Sequence, residues 1–116
     1  MKNPFEARKK RGVIGSVPTR FNSIKVYDKS LESIVLYVGE LNENSFDFGF
    51  EINLLNGSHL RRLPGQGNTW FENYNDAEAY AAYAVKIGFS DALTSGAKSA
   101  LIAHINKILT TKLDLL

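Results

Sequence analysis

Residues 46–57 read Phe46-Asp47-Phe48-Gly49-Phe50-Glu51-Ile52-Asn53-Leu54-Leu55-Asn56-Gly57. Phe46, Phe48, Phe50, Ile52 and Leu54 occupy alternate positions, with Asp47, Gly49, Glu51 and Asn53 between them. Side chains on a strand alternate between faces, so this stretch predicts a strand with one buried and one wet face. Asn56-Gly57 then supplies residues that tolerate the positive φ of a tight hairpin. The reading implies an antiparallel sheet with one covered face.

The returning strand is expected over His59 to Leu63. A two-residue loop at Asn56-Gly57 would pair Ile52 with Arg61 and put polar groups on the apolar face. A three-residue loop with a bulge at Gly57 pairs Ile52 with Leu60 and Glu51 with Arg61. The second register buries Leu60 and wets Arg61, so it is the one expected.

Upstream, Phe21 to Tyr27 reads as a first strand, with Ile24 and Val26 on one face and Lys25 and Tyr27 on the other. Asp28-Lys29-Ser30 is a turn. Ser33 to Leu41 is a second strand whose middle is apolar on both faces, which suits a central position. Downstream, Leu63-Pro64-Gly65-Gln66-Gly67-Asn68 is a loop. Thr69-Trp70-Phe71 reads as a short strand or as the seat of the next helix.

A helix is expected near residues 76–87, with Asn75 as N-cap and Glu78 three residues on. Its expected stripe is Tyr80, Ala84 and Ile87, with Ala77 and Ala81 beside it, and Gly88 stops it. A second helix is expected over 91–113, with Ser90-Asp91 offering a cap and with Gly96 allowing its first turn or two to be separate. Ala97, Leu101, Ile105, Ile108 and Leu109 keep the helical period. Strands first and helices after imply an α+β fold: an antiparallel sheet of about four strands followed by two helices packed on one face.

At 116 residues the chain has room for one domain. Residues 20–116 form it, and residues 1–19 read as a flexible basic arm broken by Gly12, Gly15 and Pro18. The formal net charge of +2 is unevenly spread. Residues 1–12 hold five basic side chains against Glu6, a balance of +4, and the remaining nine basic and eleven acidic side chains give −2. No cysteine is present, which removes disulfides, thiolate metal sites and cysteine nucleophiles. No apolar run approaches the roughly 20 residues of a membrane span. The basic start is not followed by an apolar signal region, so the cytoplasm is the expected compartment.

No spacing of metal-ligating residues occurs, and His59 and His104 stand alone. His104 reads as a boundary residue within a helix and His59 as a solvated one. Gly65-Gln66-Gly67 lacks the lysine and the strand-to-helix setting of a phosphate loop. No Gly-x-Ser-x-Gly elbow surrounds a serine. Neither a catalytic, a cofactor nor a metal residue is therefore expected.

Two functional readings follow. The first is a small non-enzymatic interaction protein, homo-oligomeric or adaptor-like, that self-associates through its C-terminal helix. The second is a single-stranded nucleic-acid-binding accessory protein. Sheets that bind single strands set aromatic stacking platforms beside cations. The residues for it are Arg8, Lys9, Lys10 and Arg11 on the arm, with Lys25, Tyr37, Arg61, Arg62 and Trp70. Asp47 and Glu51, on the same outer face, count against it.

Overall fold

The computed structural model of the chain describes residues 9–10, 21–42, 45–65 and 69–114. The strands are β1 (Lys9–Lys10), β2 (Phe21–Lys29), β3 (Glu32–Asn42), β4 (Ser45–Asn53), β5 (His59–Arg62) and β6 (Thr69–Trp70); the helices are α1 (Tyr74–Gly88) and α2 (Ser95–Asp114). A four-stranded antiparallel sheet has the order β2-β3-β4-β5, and β1 pairs with β6 apart from it. The arm otherwise lies outside the described residues.

The alternation in β4 does what its sequence implies on the inner face. Leu36 lies opposite Phe50, Ile34 opposite Ile52, and Ile52 opposite Leu60. α1 packs over β3 and β4, and α2 over β2 and β3. Ile34, Leu36, Phe48, Ile52 and Leu54 meet Ala97, Leu101 and Ile105 in one core. Phe50 is half-buried at its margin, with its ring 5.8 Å from that of Phe89.

The helices approach the sheet closely because α1 presents small side chains. Ala77, Ala81, Ala82 and Val85 are fully buried, whereas Ile87 is 53% exposed. The inward stripe therefore differs from the one expected through Ile87. It lies on the alanines, and aromatic rings fill the space that they leave. Tyr80 sits 5.1 Å from Phe48 and 5.3 Å from Phe71, ring centre to ring centre.

The β4–β5 turn takes the expected bulged register. Gly57 N–H donates to the Leu54 carbonyl, and Gly57 has φ of 90°. That left-handed conformation costs glycine nothing and strains other residues. Ser58 N–H is held by the Asn56 side chain. β2 is the outermost strand on its side of this sheet among the described residues, with a register shift between Lys25 and Tyr27.

Both helix starts are displaced from the expected ones. Asn73, not Asn75, caps α1: its Oδ1 accepts from Asp76 N–H at 2.9 Å, and its Nδ2 donates to the Asp76 carboxylate at 3.0 Å. Asn73…Asp76 and Asn75…Glu78 are overlapping versions of the same box, and the earlier one forms. α2 begins at Ser95 rather than near residue 91. Thr94 is its cap, with Oγ1 accepting from Ala97 N–H and its carbonyl from Lys98 N–H. Residues 90–93 form turns instead.

The outer face of β4 departs most from a simple alternation. Asp47 and Gly49 were expected to be wet, and both are buried. The chain after β5 turns over them. A Cβ on Gly49 would lie 2.3 Å from the Arg62 carbonyl oxygen and 2.9 Å from Pro64 Cδ. The first is backbone and the second belongs to a proline ring closed onto its own backbone nitrogen, so neither can yield cheaply. Gly49→Ala is thus expected to destabilise the fold by roughly 1–3 kcal/mol, the usual range for overpacking. Urea unfolding would measure it, and an unchanged midpoint would show that the turn is free to lift.

Candidate functional site

The described surface offers three features, and each follows from strand register. The first is a polar cluster on the outer sheet face. Val35 lies opposite Glu51, and Glu51 opposite Arg61. Lys25 lies opposite Val35 from the other side. The Glu51 carboxylate accepts from the Tyr37 hydroxyl at 2.5 Å and pairs with His59 Nε2 at 2.8 Å. Arg61 Nε stands 3.7 Å away. The Tyr37 and His59 hydrogen bonds hold the Glu51 pKa below its ordinary value of 4.5, with the charge of Arg61 adding to them. Burial raises the Tyr37 phenol above its ordinary value of 10.0, and the Glu51 carboxylate raises it further.

The second feature is the buried pair Asp47–Arg62. β5 ends at Arg62, opposite Phe50, and the next backbone partner along that edge of β4 is Phe71, which bridges Phe46. Phe48 lies in the gap between them. Its N–H donates to Asp47 Oδ1 at 2.8 Å, and its carbonyl accepts from Arg62 Nε at 3.2 Å. Arg62 Nη2 reaches Asp47 at 3.2 and 3.3 Å, and Gly65 N–H donates to Asp47 Oδ2 at 2.6 Å. The guanidinium also lies 4.1 Å from the centre of the Phe48 ring. Side chains replace the missing strand here and give both backbone groups of Phe48 a partner.

The third feature is a groove at the end of the sheet where two turns meet. Asp28, Ser30, Leu31 and Ser33 of the β2–β3 turn line it with Asn53, Leu54, Leu55, Gly57 and Ser58 of the β4–β5 turn, around about 360 Å³. Leu31 is 72% and Leu55 52% exposed, and with Ile87 and Ile102 they are the exposed large hydrophobic side chains among the described residues.

Of the residues named for nucleic-acid binding, Lys25, Tyr37 and Arg61 come to one sheet face, and Arg62 and Trp70 do not join them. Arg8 and Arg11 lie outside the described residues, and only the backbone of Lys9 and Lys10 is described, in β1 opposite Trp70 and Thr69. Lys25, Tyr37 and Arg61 share the outer face of the main sheet. Tyr37 is only 7% exposed, and its ring meets Phe21 edge-on at 4.9 Å. Such a ring has no open face for a stacked base. Arg62 is engaged with Asp47, and half-buried Trp70 belongs to the separate β1–β6 pair. The C-terminal helix is likewise occupied in part: Ala97, Leu101, Ile105 and Ile108 are buried within the monomer, which leaves Ile102 43% exposed.

Both histidines have partners. His59 pairs with Glu51, and His104 Nε2 lies 2.6 Å from Glu78 between the two helices. Among the described residues no group of three or more His, Asp or Glu side chains is placed to hold a metal ion. No helix among them is long and apolar enough to cross a membrane. Sequence reasoning gives no sign of Leu31 and Leu55, because Leu31 stands alone among polar turn residues and Leu55 follows the buried Leu54 into its turn. Their turns come together only once register is set. No protein-family model matches the chain, and neither does any curated protein or solved structure.

The outer cluster has a pH signature. The depressed Glu51 contributes stability above the ordinary carboxylate range, lost as pH falls through its folded pKa. The raised Tyr37 contributes below the ordinary phenol value, and that part is lost as pH rises through its folded pKa. Melting temperatures across pH should show Glu51→Gln flattening the acid limb below about pH 5 and Tyr37→Phe flattening the limb above about pH 10. Limbs identical to those of the parent would show that the cluster is not formed in solution.

Proposed function

We propose that the protein is a small non-enzymatic interaction module that associates with a second copy of itself. The observation that carries this reading is the groove at the two turns. Leu31 and Leu55 give it exposed apolar surface, and Ser30, Ser33, Asn53 and Ser58 line it with them as polar neighbours. An apolar centre with a polar rim is the usual anatomy of a protein contact. Ile102 on α2 offers a smaller apolar surface for the same purpose, the remnant of the helix seam expected from the sequence. Light scattering at tens of micromolar should find a dimer. The double variant Leu31→Asp/Leu55→Asp should run as a monomer with an unchanged melting temperature, and Ile102→Asp should report the share of α2. A parent chain that is monomeric at every concentration would remove self-association and leave an adaptor for a different partner.

A second reading, single-stranded nucleic-acid binding, is supported by two exposed cations on one sheet face. The Lys25 and Arg61 side chains are 66% and 51% exposed. Glu51 beside Arg61 opposes it, and Asp28 takes up part of the Lys25 charge at 3.2 Å. Fluorescence anisotropy with a short oligonucleotide would test it. Each phosphate contact adds a slope of about −0.7 in log affinity against log salt. Lys25→Ala, Arg61→Ala and removal of residues 1–12 should each flatten the slope. Trp70→Ala should weaken binding by roughly 1–3 kcal/mol with the slope kept, if its ring stacks on a base. No binding at low salt would end this reading.

A further inference from the structure

We infer that a crevice at the open end of the helix–sheet layer binds a small alkylated ammonium group. Phe21, Asn22, Val38, Glu40, Phe46 and Tyr74 line it. Register builds it: Asn22 lies opposite Val38, and Glu40 opposite Phe46. Tyr74, the first residue of α1, closes it from the helix side. It lies away from the turns that carry Leu31 and Leu55, whose residues line a different groove.

The size selects a headgroup. The crevice holds about 180 Å³, against roughly 30 Å³ of liquid volume for each water. That accommodates a few heavy atoms at the end of a side chain or of a small amine. Drug-sized ligands occupy pockets of about 300–1,000 Å³.

The lining selects a charge. The Phe46 and Tyr74 rings stand at 80° with centres 6.2 Å apart, as adjoining walls of a corner do. Phe21 borders the crevice, with its ring turned to Tyr37 on the other face of the sheet, so the Phe46 and Tyr74 rings are the aromatic walls. Aromatic faces carry negative potential and attract cations. The exposed Glu40 carboxylate adds a full negative charge, and it has no ion-pair partner among the described residues. Asn22 Nδ2 donates to the Tyr74 hydroxyl at 3.2 Å, which steadies that ring and leaves the Asn22 carbonyl oxygen as an acceptor. The helix dipole of α1 works against a cation here, but Asp76 in its first turn offsets it.

Anions are repelled by Glu40, and neutral apolar groups gain nothing from its charge. A small metal ion or a bare ammonium would lose strong hydration for apolar walls. Alkylation weakens hydration and keeps the charge, so a methylated ammonium satisfies rings and carboxylate together.

The test is a nuclear magnetic resonance titration of the full chain with N-acetyl-trimethyllysine amide, with its uncharged carbon isostere, and with choline. Saturable shifts are expected at the amides of Asn22, Glu40 and Tyr74 with the trimethyllysine derivative. The isostere should bind roughly 3- to 30-fold more weakly, the range of a partly desolvated cation–π contact. Glu40→Gln and Tyr74→Leu should each weaken binding, whereas Tyr74→Phe should keep most of it. Because Glu40 is exposed, its variant tests the site without disturbing the core. Equal binding of choline would support recognition of the headgroup alone, and preference for the lysine derivative would support a protein side chain as its source. No saturable shift, equal binding of the isostere, or indifference to Glu40→Gln would each overturn the proposal. The Leu31→Asp/Leu55→Asp variant should bind as the parent does, so failure here leaves self-association untouched.

Discussion

A carboxylate with no exposed surface sits on the outer face of β4, and the architecture at that end of the molecule is arranged to satisfy it. Asp47 is 0% exposed. A buried charge must be paired and hydrogen-bonded, or it costs several kcal/mol. Arg62 supplies the countercharge, and the amides of Phe48 and Gly65 supply the bonds. Meeting these demands determines where β5 stops. It also folds Pro64-Gly65 back over the sheet and leaves no room for a side chain at Gly49. Gly65, with φ of 92°, adopts the left-handed turn that aims its N–H at the carboxylate.

A second carboxylate plays a comparable part between the layers. Glu32 opens β3 and is 2% exposed. It accepts from Thr94 N–H at 3.0 Å and from the Thr94 hydroxyl at 2.5 Å. Thr94 caps α2, so the sheet reaches directly to a helix start where donors would otherwise lack partners. Glu32 thereby ties the loop between the helices to the first turn of the sheet. Tyr27 adds to this junction, because its hydroxyl lies 2.9 Å from where a Cβ on Gly96 would stand. The glycine inside α2 leaves room for that ring.

What the sequence makes legible is what has a local period. The β4 alternation, the bulged turn at Gly57 and the 3.6-residue pattern of Leu101, Ile105 and Ile108 each determine their own neighbourhoods. The register of Glu51 against Arg61 follows from the same reasoning. Illegible features depend on contacts distant in the chain. Asp47 looks like an outward strand residue until the turn 18 positions later covers it. Tyr37 looks like an outward ring until Phe21 and Glu51 close around it. Two overlapping asparagine boxes make the α1 cap ambiguous in sequence, and the small apolar side chains of the alanines do not mark the inward stripe against Ile87. The two-turn groove depends wholly on which turns share an end of the sheet.

The irregularity in β2 has a consequence for how chains meet. β2 is an edge, and an unbroken edge of nine residues would be a template for strand addition. The shift between Lys25 and Tyr27 interrupts the even spacing of its outward N–H and carbonyl groups. Lys25, Asp28 and Lys29 place exposed charges along the same strand. A second β2 aligned beside it would find its ladder out of step and its charges crowded. Open-ended growth of the sheet is thereby disfavoured. A second chain meeting this edge would have to engage its side chains rather than extend its ladder.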